Sequence, residues 1–140
     1  MDAAWTEHDF DAVLRVWPRL EAHLDAVDMS SRPVAVLDID DTVLQCHGER
    51  CTPVPLGLKT VRALRRRNIP FFYVTARRET QASEMWARMQ LHMLGLDAGC
   101  AGLRLMPPGT RDVRAYKAAE RRYLEESGYR VVLNLSLIHI

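Results

Sequence analysis

Apolar and polar positions along the chain fall into alternating blocks of helical and strand character. Phe10, Val13, Leu14, Trp17, Leu20 and Leu24 recur at helical spacing, which predicts a helix from Thr6 to about Val27 with those residues on one side. Thr6 is placed to cap it. Pro18 predicts a kink or a split into two short helices. Ser30-Ser31-Arg32-Pro33 reads as a linker. Val34 to Leu37 is an unbroken apolar run, as expected of a strand buried on both faces.

Cys46 to Gly57 is rich in Gly, Pro and Cys and reads as a loop. Leu58 to Arg67 is a short helix with Val61 and Leu64, and Leu58 beside them, facing inward. Asn68-Ile69-Pro70 turns into a second strand, Phe71 to Val74, ending at Thr75. Thr80 to Leu94 reads as a helix stopped by Gly95, with Met85, Trp86, Met89 and Met93 on its inner side. Leu103 to Met106 is a short strand closed by Pro107-Pro108-Gly109. Asp112 to Ser127 is helical, with Tyr116, Ala119 and Tyr123 aligned and Gly128 ending it. Arg130 to Leu135 is the last strand. Strands alternating with helices predict an α/β fold, a Rossmann-like parallel sheet with helices on both faces. Sites in such sheets collect at the carboxyl ends of the strands. The chain divides into a helical segment over 1–30, a core over 31–134 and a tail over 135–140.

A chain of 140 residues suits one domain with one core. Its net charge of +1 gives no reason to expect nucleic-acid or membrane partners. No apolar run approaches the roughly 18 residues that span a bilayer. Met1 to Glu7 lacks the basic start and apolar stretch of a signal peptide, so a cytoplasmic location is expected. Cys46, Cys51 and Cys100 fit no zinc pattern, and the five histidines are scattered. Cys46 and Cys51 bracket a short polar loop holding His47. Reduced thiols are expected there in a cytosolic chain, with a loop disulfide or a weak metal site as alternatives.

The candidate chemistry begins with Asp38 and Asp40, which leave the first buried strand together. On a regular strand both would share a face. Two anions that close need a cation or a shared proton to coexist. A magnesium ion with oxygen ligands meets that need. An Asx-type turn or helix cap at Asp40-Asp41-Thr42 is the bland alternative. Thr75 ends the second strand, where its hydroxyl could bond a phosphate oxygen and Arg77 could add charge. Capping the next helix is the alternative role for Thr75. Lys117, near the start of the last helix, would on its own be read as a solvated lysine.

The ordered set says more than its members. An apolar strand followed by Asp38-Ile39-Asp40-Asp41-Thr42, a strand ending in Thr75, then Lys117 before a final strand resembles the haloacid-dehalogenase-like (HAD) superfamily. The aromatic strand Phe71 to Arg77, with Lys117, Arg121, Gly128-Tyr129-Arg130 and Val131 to Asn134, is similar to its acid-phosphatase branch, the class B and bacterial lipoprotein acid phosphatases. The match runs from about Pro33 to Asn134.

That resemblance implies a phosphomonoester hydrolase in which Asp38 is the nucleophile and Asp40 the general acid and base. Thr75, Arg77 and Lys117 would hold the phosphoryl oxygens. The Asp38 carboxylate and the Asp40 backbone carbonyl would bind magnesium. The short stretches from Val43 to Pro70 and from Thr75 to Lys117 leave no room for a large cap domain, and Cys46 to Pro55 would be the flap. A small phosphorylated substrate is implied, and the oligomeric state stays open. Two rivals remain: a phosphatase for nucleic-acid 3′ ends, and a non-catalytic module that binds phosphate or metal.

The chain departs from the family after the last strand. Family members continue with Gly-Asp and another Asp that complete the metal site, whereas no acidic residue follows Glu126 here. Leu135 to Ile140 matches the in-frame translation of a transposase adapter used in library preparation. A truncated coding sequence is therefore expected, with a diverged C-terminus as the alternative. Weak magnesium binding and slow turnover of this chain follow from that expectation.

Overall fold

The computed structural model describes residues 7–137, and the side chains of residues 11–137. The proposed cap at Thr6 and the side chain of Phe10 lie outside them. The elements run α1 (Glu7–Asp25), a 3₁₀ turn (Met29–Ser31), β1 (Pro33–Leu37), β2 (Leu44–His47), β3 (Arg50–Pro53), α2 (Pro55–Arg66), β4 (Phe71–Arg78), α3 (Gln81–Met93), β5 (Cys100–Met106), α4 (Val113–Glu126) and β6 (Arg130–Leu135).

The main sheet has four strands in the order β5-β4-β1-β6, with every neighbouring pair parallel. β1 is central and buried throughout, which is why its sequence is apolar without alternation. Ala35 and Leu37 face a cluster with Leu24 of α1, Leu64 of α2 and Leu91 of α3. Val34 and Val36 face Tyr116 and Leu124 of α4. The predicted α/β architecture, with helices on both faces, is thus the observed one. Between β1 and β4 the chain makes only a hairpin and α2, so no large cap interrupts the core.

Four expectations are corrected. First, of the kink or split expected at Pro18, the split does not form: α1 runs through it as a single helix. Pro18 is exposed, so the carbonyl it leaves without a partner is open to water. Trp17, Leu20 and Leu24 hold the helix against the core, and Asp25 pairs with Arg67 of the α2 end. Leu14, placed inside by its spacing, is exposed.

Second, α3 docks through Ala87, Gln90 and Leu91, and leaves Met85, Trp86, Met89 and Met93 exposed. Both sets fall at helical spacing, and the larger apolar side chains do not mark the inner face. Third, only Tyr116 of the aligned set on α4 is buried, while Tyr123 is exposed and Leu124 packs inward instead.

Fourth, the stretch read as a loop contains the antiparallel pair β2–β3, turned at Gly48, whose φ of 66° lies in the left-handed region. Cys46 and Cys51 sit directly opposite in that pair and form a disulfide, with Cα atoms 4.1 Å apart. The expectation of reduced thiols gives way because the hairpin register brings the two residues face to face. Cys100 is a free thiol, and burial pushes its pKa up.

Candidate active site

The carboxyl ends of β1 and β4 are adjacent, since Leu37 pairs with Tyr73. β1 stops at Leu37, and the chain then turns tightly. The Ile39 carbonyl accepts from the backbone N–H groups of Thr42, Val43 and Leu44 at 3.2, 3.0 and 3.3 Å. Asp41 adopts φ 60°, a left-handed conformation that a short polar residue tolerates. The Thr42 hydroxyl accepts from the Leu137 backbone N–H at 3.0 Å, which ties the turn to the residues after β6. On the other side, α2 presses against the turn at Gly57. A Cβ built there would lie 2.1 Å from the Thr42 carbonyl oxygen, so only glycine lets the two backbones approach.

The turn separates the two carboxylates. Asp38 is buried and lies 2.9 Å from Lys117 Nζ through Oδ2, while its Oδ1 accepts from the Ile39 N–H at 2.9 Å. Lys117 reaches it from α4. Asp40 is half-exposed and takes a two-pronged bond from Arg77, with Nε to Oδ2 at 2.9 Å and Nη2 to Oδ1 at 2.8 Å. Arg77 in turn is backed by Gln90 of α3, whose Leu91 belongs to the core on the opposite side of the sheet from α4. The shared face that a regular strand would give Asp38 and Asp40 is therefore not what forms. Because the strand ends before them, each has its own cation, supplied from a different side.

Thr75 is buried at the end of the regular pairing of β4, and its hydroxyl accepts from the Arg77 N–H at 3.1 Å. That bond fixes the local turn and leaves the hydroxyl proton free to donate elsewhere. The five residues Asp38, Asp40, Thr75, Arg77 and Lys117 thus surround one end of the β1–β4 pair as two ion pairs and a hydroxyl. Gln90 and Gly57 were not singled out by sequence, and Thr42 only as the last residue of the motif, although each fixes part of this arrangement.

A cleft of about 530 Å³ opens beside Asp38, lined also by Lys117, Arg114, Arg121 and Asn134. Three cationic side chains against one carboxylate suit an anionic ligand. Ser136 also lines the cleft, and its hydroxyl is buried without a partner among the described residues. The Tyr116 phenol, driven up in pKa mainly by burial, donates to the Arg104 carbonyl at 3.0 Å and acts as packing beneath the site.

Among the described residues no cluster of three or more His, Cys, Asp or Glu side chains could cage a metal ion. The Asp38 carboxylate and the Asp40 carbonyl are oxygen ligands of the kind magnesium takes. They fit an ion that draws its remaining ligands from water and substrate phosphate, as magnesium commonly does.

In comparisons with known proteins, no family model and no curated protein matches the chain. Among solved structures, it is similar to the class C acid phosphatase from Bacillus anthracis with tungstate bound. The TM-score is 0.66 at 14% identity, over 96% of this chain and 63% of that one. The likeness shows the fold, a parallel α/β sheet flanked by helices, and the chain spans less than two thirds of the length of that phosphatase.

Proposed function

We propose that the chain is a magnesium-dependent phosphomonoester hydrolase that works through an aspartyl-phosphate on Asp38. The observation that carries the reading is the buried Asp38–Lys117 pair, 2.9 Å apart, at the end of the central strand and in the wall of a cationic cleft. A lysine there does two things. It partners the Asp38 carboxylate and it offers charge to an incoming phosphoryl group. The fold likeness to an acid phosphatase supports the same reaction. Because that neighbour is a class C enzyme, the proposal stops at acid phosphatase and does not select class B.

In the proposed reaction a small phosphomonoester enters the cleft with its phosphoryl oxygens toward Lys117 and the Thr75 hydroxyl. An Asp38 oxygen attacks phosphorus, the bond to the leaving oxygen breaks, and Asp40, which must enter this step as the neutral acid, gives that oxygen its proton. Asp40 then takes a proton from the water that hydrolyses the acyl phosphate, so Asp38 ends as the carboxylate and Asp40 as the neutral acid, their states at the start of the cycle. Arg77 orients Asp40; delivering a proton requires one of its two bonds to Asp40 to open. The Asp38 carboxylate and the Asp40 carbonyl would hold magnesium, which when bound would supply positive charge to offset the phosphate's own.

With only two such ligands among the described residues, turnover is expected to be slow, and it is read best with enzyme in excess. Hydrolysis of 4-nitrophenyl phosphate is expected with magnesium and falls at least about tenfold on chelation. A rate indifferent to chelation would remove magnesium from the account.

Among the described residues, no helix is long and apolar enough to cross a membrane. The reduced thiols were expected from a cytoplasmic location, and the Cys46–Cys51 disulfide found instead is the pairing an oxidising compartment maintains.

A further inference from the structure

We propose that Gln90 is a positioning residue for Asp40, acting through Arg77, and that the Cys46–Cys51 disulfide is the surface that holds Gln90 in place. Gln90 is buried on α3, where the helical pattern calls for an apolar side chain. A buried amide costs free energy unless both its ends are bonded. Here both are. Oε1 accepts from Arg77 Nη1 at 2.6 Å. Nε2 donates to Cys51 Sγ at 3.3 Å and lies 3.8 Å from Cys46 Sγ.

The orientation of the amide is chemically determined, because a guanidinium has donors only and must meet the oxygen. Arg77 then has no freedom left. Nε and Nη2 are on Asp40, Nη1 is on Gln90, and its backbone N–H is on Thr75. A continuous chain of contacts runs from the β2–β3 hairpin through α3 and the end of β4 to the Asp40 carboxylate. Sulfur is a weak acceptor, so the disulfide contributes shape more than bond strength.

The inference rests on the reading of Asp40 as proton donor, and that reading gives it a selective signature. A phenol leaves as a stable anion and needs little help, whereas an alcohol needs the proton. Loosening Asp40 should therefore slow alkyl phosphates more than aryl phosphates. Gln90→Met keeps the size of the side chain and removes both polar ends. With enzyme in excess, it is expected to slow glycerol phosphate about tenfold and 4-nitrophenyl phosphate about twofold. Gln90→Glu restores the acceptor for Arg77 and is expected to recover most of the loss. Equal slowing of both esters, with no recovery by Glu, would overturn the inference and leave the phosphatase reading intact. Survival of hydrolysis in Asp38→Asn would instead overturn that reading.

A second measurement does not need turnover. In ¹⁵N-edited spectra, the Arg77 guanidinium should exchange and rotate faster in Gln90→Met, and also in the double variant Cys46→Ala, Cys51→Ala. Unchanged Arg77 signals in Gln90→Met would overturn the inference. Unchanged signals in the double variant alone would overturn the part given to the disulfide.

Discussion

Asp38→Asn is expected to abolish hydrolysis, by on the order of 10⁵-fold or more, the scale on which enzymes lose turnover with their covalent nucleophile. The substitution is nearly isosteric, and the amide oxygen can still accept from the Ile39 N–H, as Oδ1 does now. What disappears is the anionic oxygen proposed to attack phosphorus. The change also leaves Lys117 without its carboxylate partner in a site where the lysine side chain is only 20% exposed. Two consequences follow. Stability falls by about 1–3 kcal/mol, since a partly buried charge has lost its partner. Inorganic phosphate binds more tightly than to the unsubstituted chain, because one negative charge has left the cleft and one positive charge has been freed. Rates measured with enzyme in excess, together with calorimetric titration of phosphate, read both effects. A non-catalytic binding module would show the tighter binding without any hydrolysis to lose. Hydrolysis that survived in Asp38→Asn would place the nucleophile elsewhere.

Gly57→Ala carries the second large effect, on a residue that touches no substrate. The added Cβ would sit 2.1 Å from the Thr42 carbonyl oxygen, 2.7 Å from Val43 Cα and 2.9 Å from the Thr42 carbonyl carbon. These are backbone atoms of the turn that follows Asp38, and they cannot rotate away. α2 is held close to them by a bond from the Val54 N–H to the Val43 carbonyl at 2.9 Å and by buried Pro55 and Leu56. Either α2 or the turn must move. The expected cost exceeds about 3 kcal/mol, at the upper end for overpacking. A shift of about 1 Å in the Asp38 turn is expected to slow turnover by on the order of 10²-fold. Helix propensity alone predicts the opposite sign, a gain of about 1 kcal/mol for Ala over Gly within a helix. Urea unfolding and rate measurements therefore decide between close approach and intrinsic propensity. Unchanged stability would mean that α2 does not press on the turn as described.

What the sequence made legible follows from what local pattern can encode. β1 and β4 were recognisable because strands buried on both faces must be apolar without alternation, and the helical runs beginning at Thr80 and Asp112 located α3 and α4, whose N-caps those two residues prove to be. The parallel order follows once strands and helices alternate. The inner face of α3 was misread because hydrophobic size was taken as the guide. That helix spends its buried face partly on Gln90, whose partner Arg77 lies 13 residues away along the chain. A polar residue between Ala87 and Leu91 was the available signal. The hairpin carried a signal too, in that Cys46 and Cys51 stand symmetrically about Gly48-Glu49, a turn pair. It was outweighed by the general rarity of disulfides in cytosolic chains.

Arg77 was assigned to the substrate phosphate from its place after Thr75. The structure shows it on Asp40, a pairing across 37 residues that no local pattern reveals. The separate cations for Asp38 and Asp40 were hidden for the same reason. Periodicity describes a regular strand, and this one ends at Leu37, before the chemistry begins.

The most direct test of the account is to catch the covalent intermediate. The chain is mixed with a phosphomonoester and magnesium, quenched in acid and treated with borohydride, which reduces an acyl phosphate to the alcohol. Peptide mapping is predicted to find homoserine in place of Asp38 and at no other aspartate. Homoserine at Asp40 or Asp41, or unreduced Asp38 in a chain that is releasing phosphate, would contradict the account.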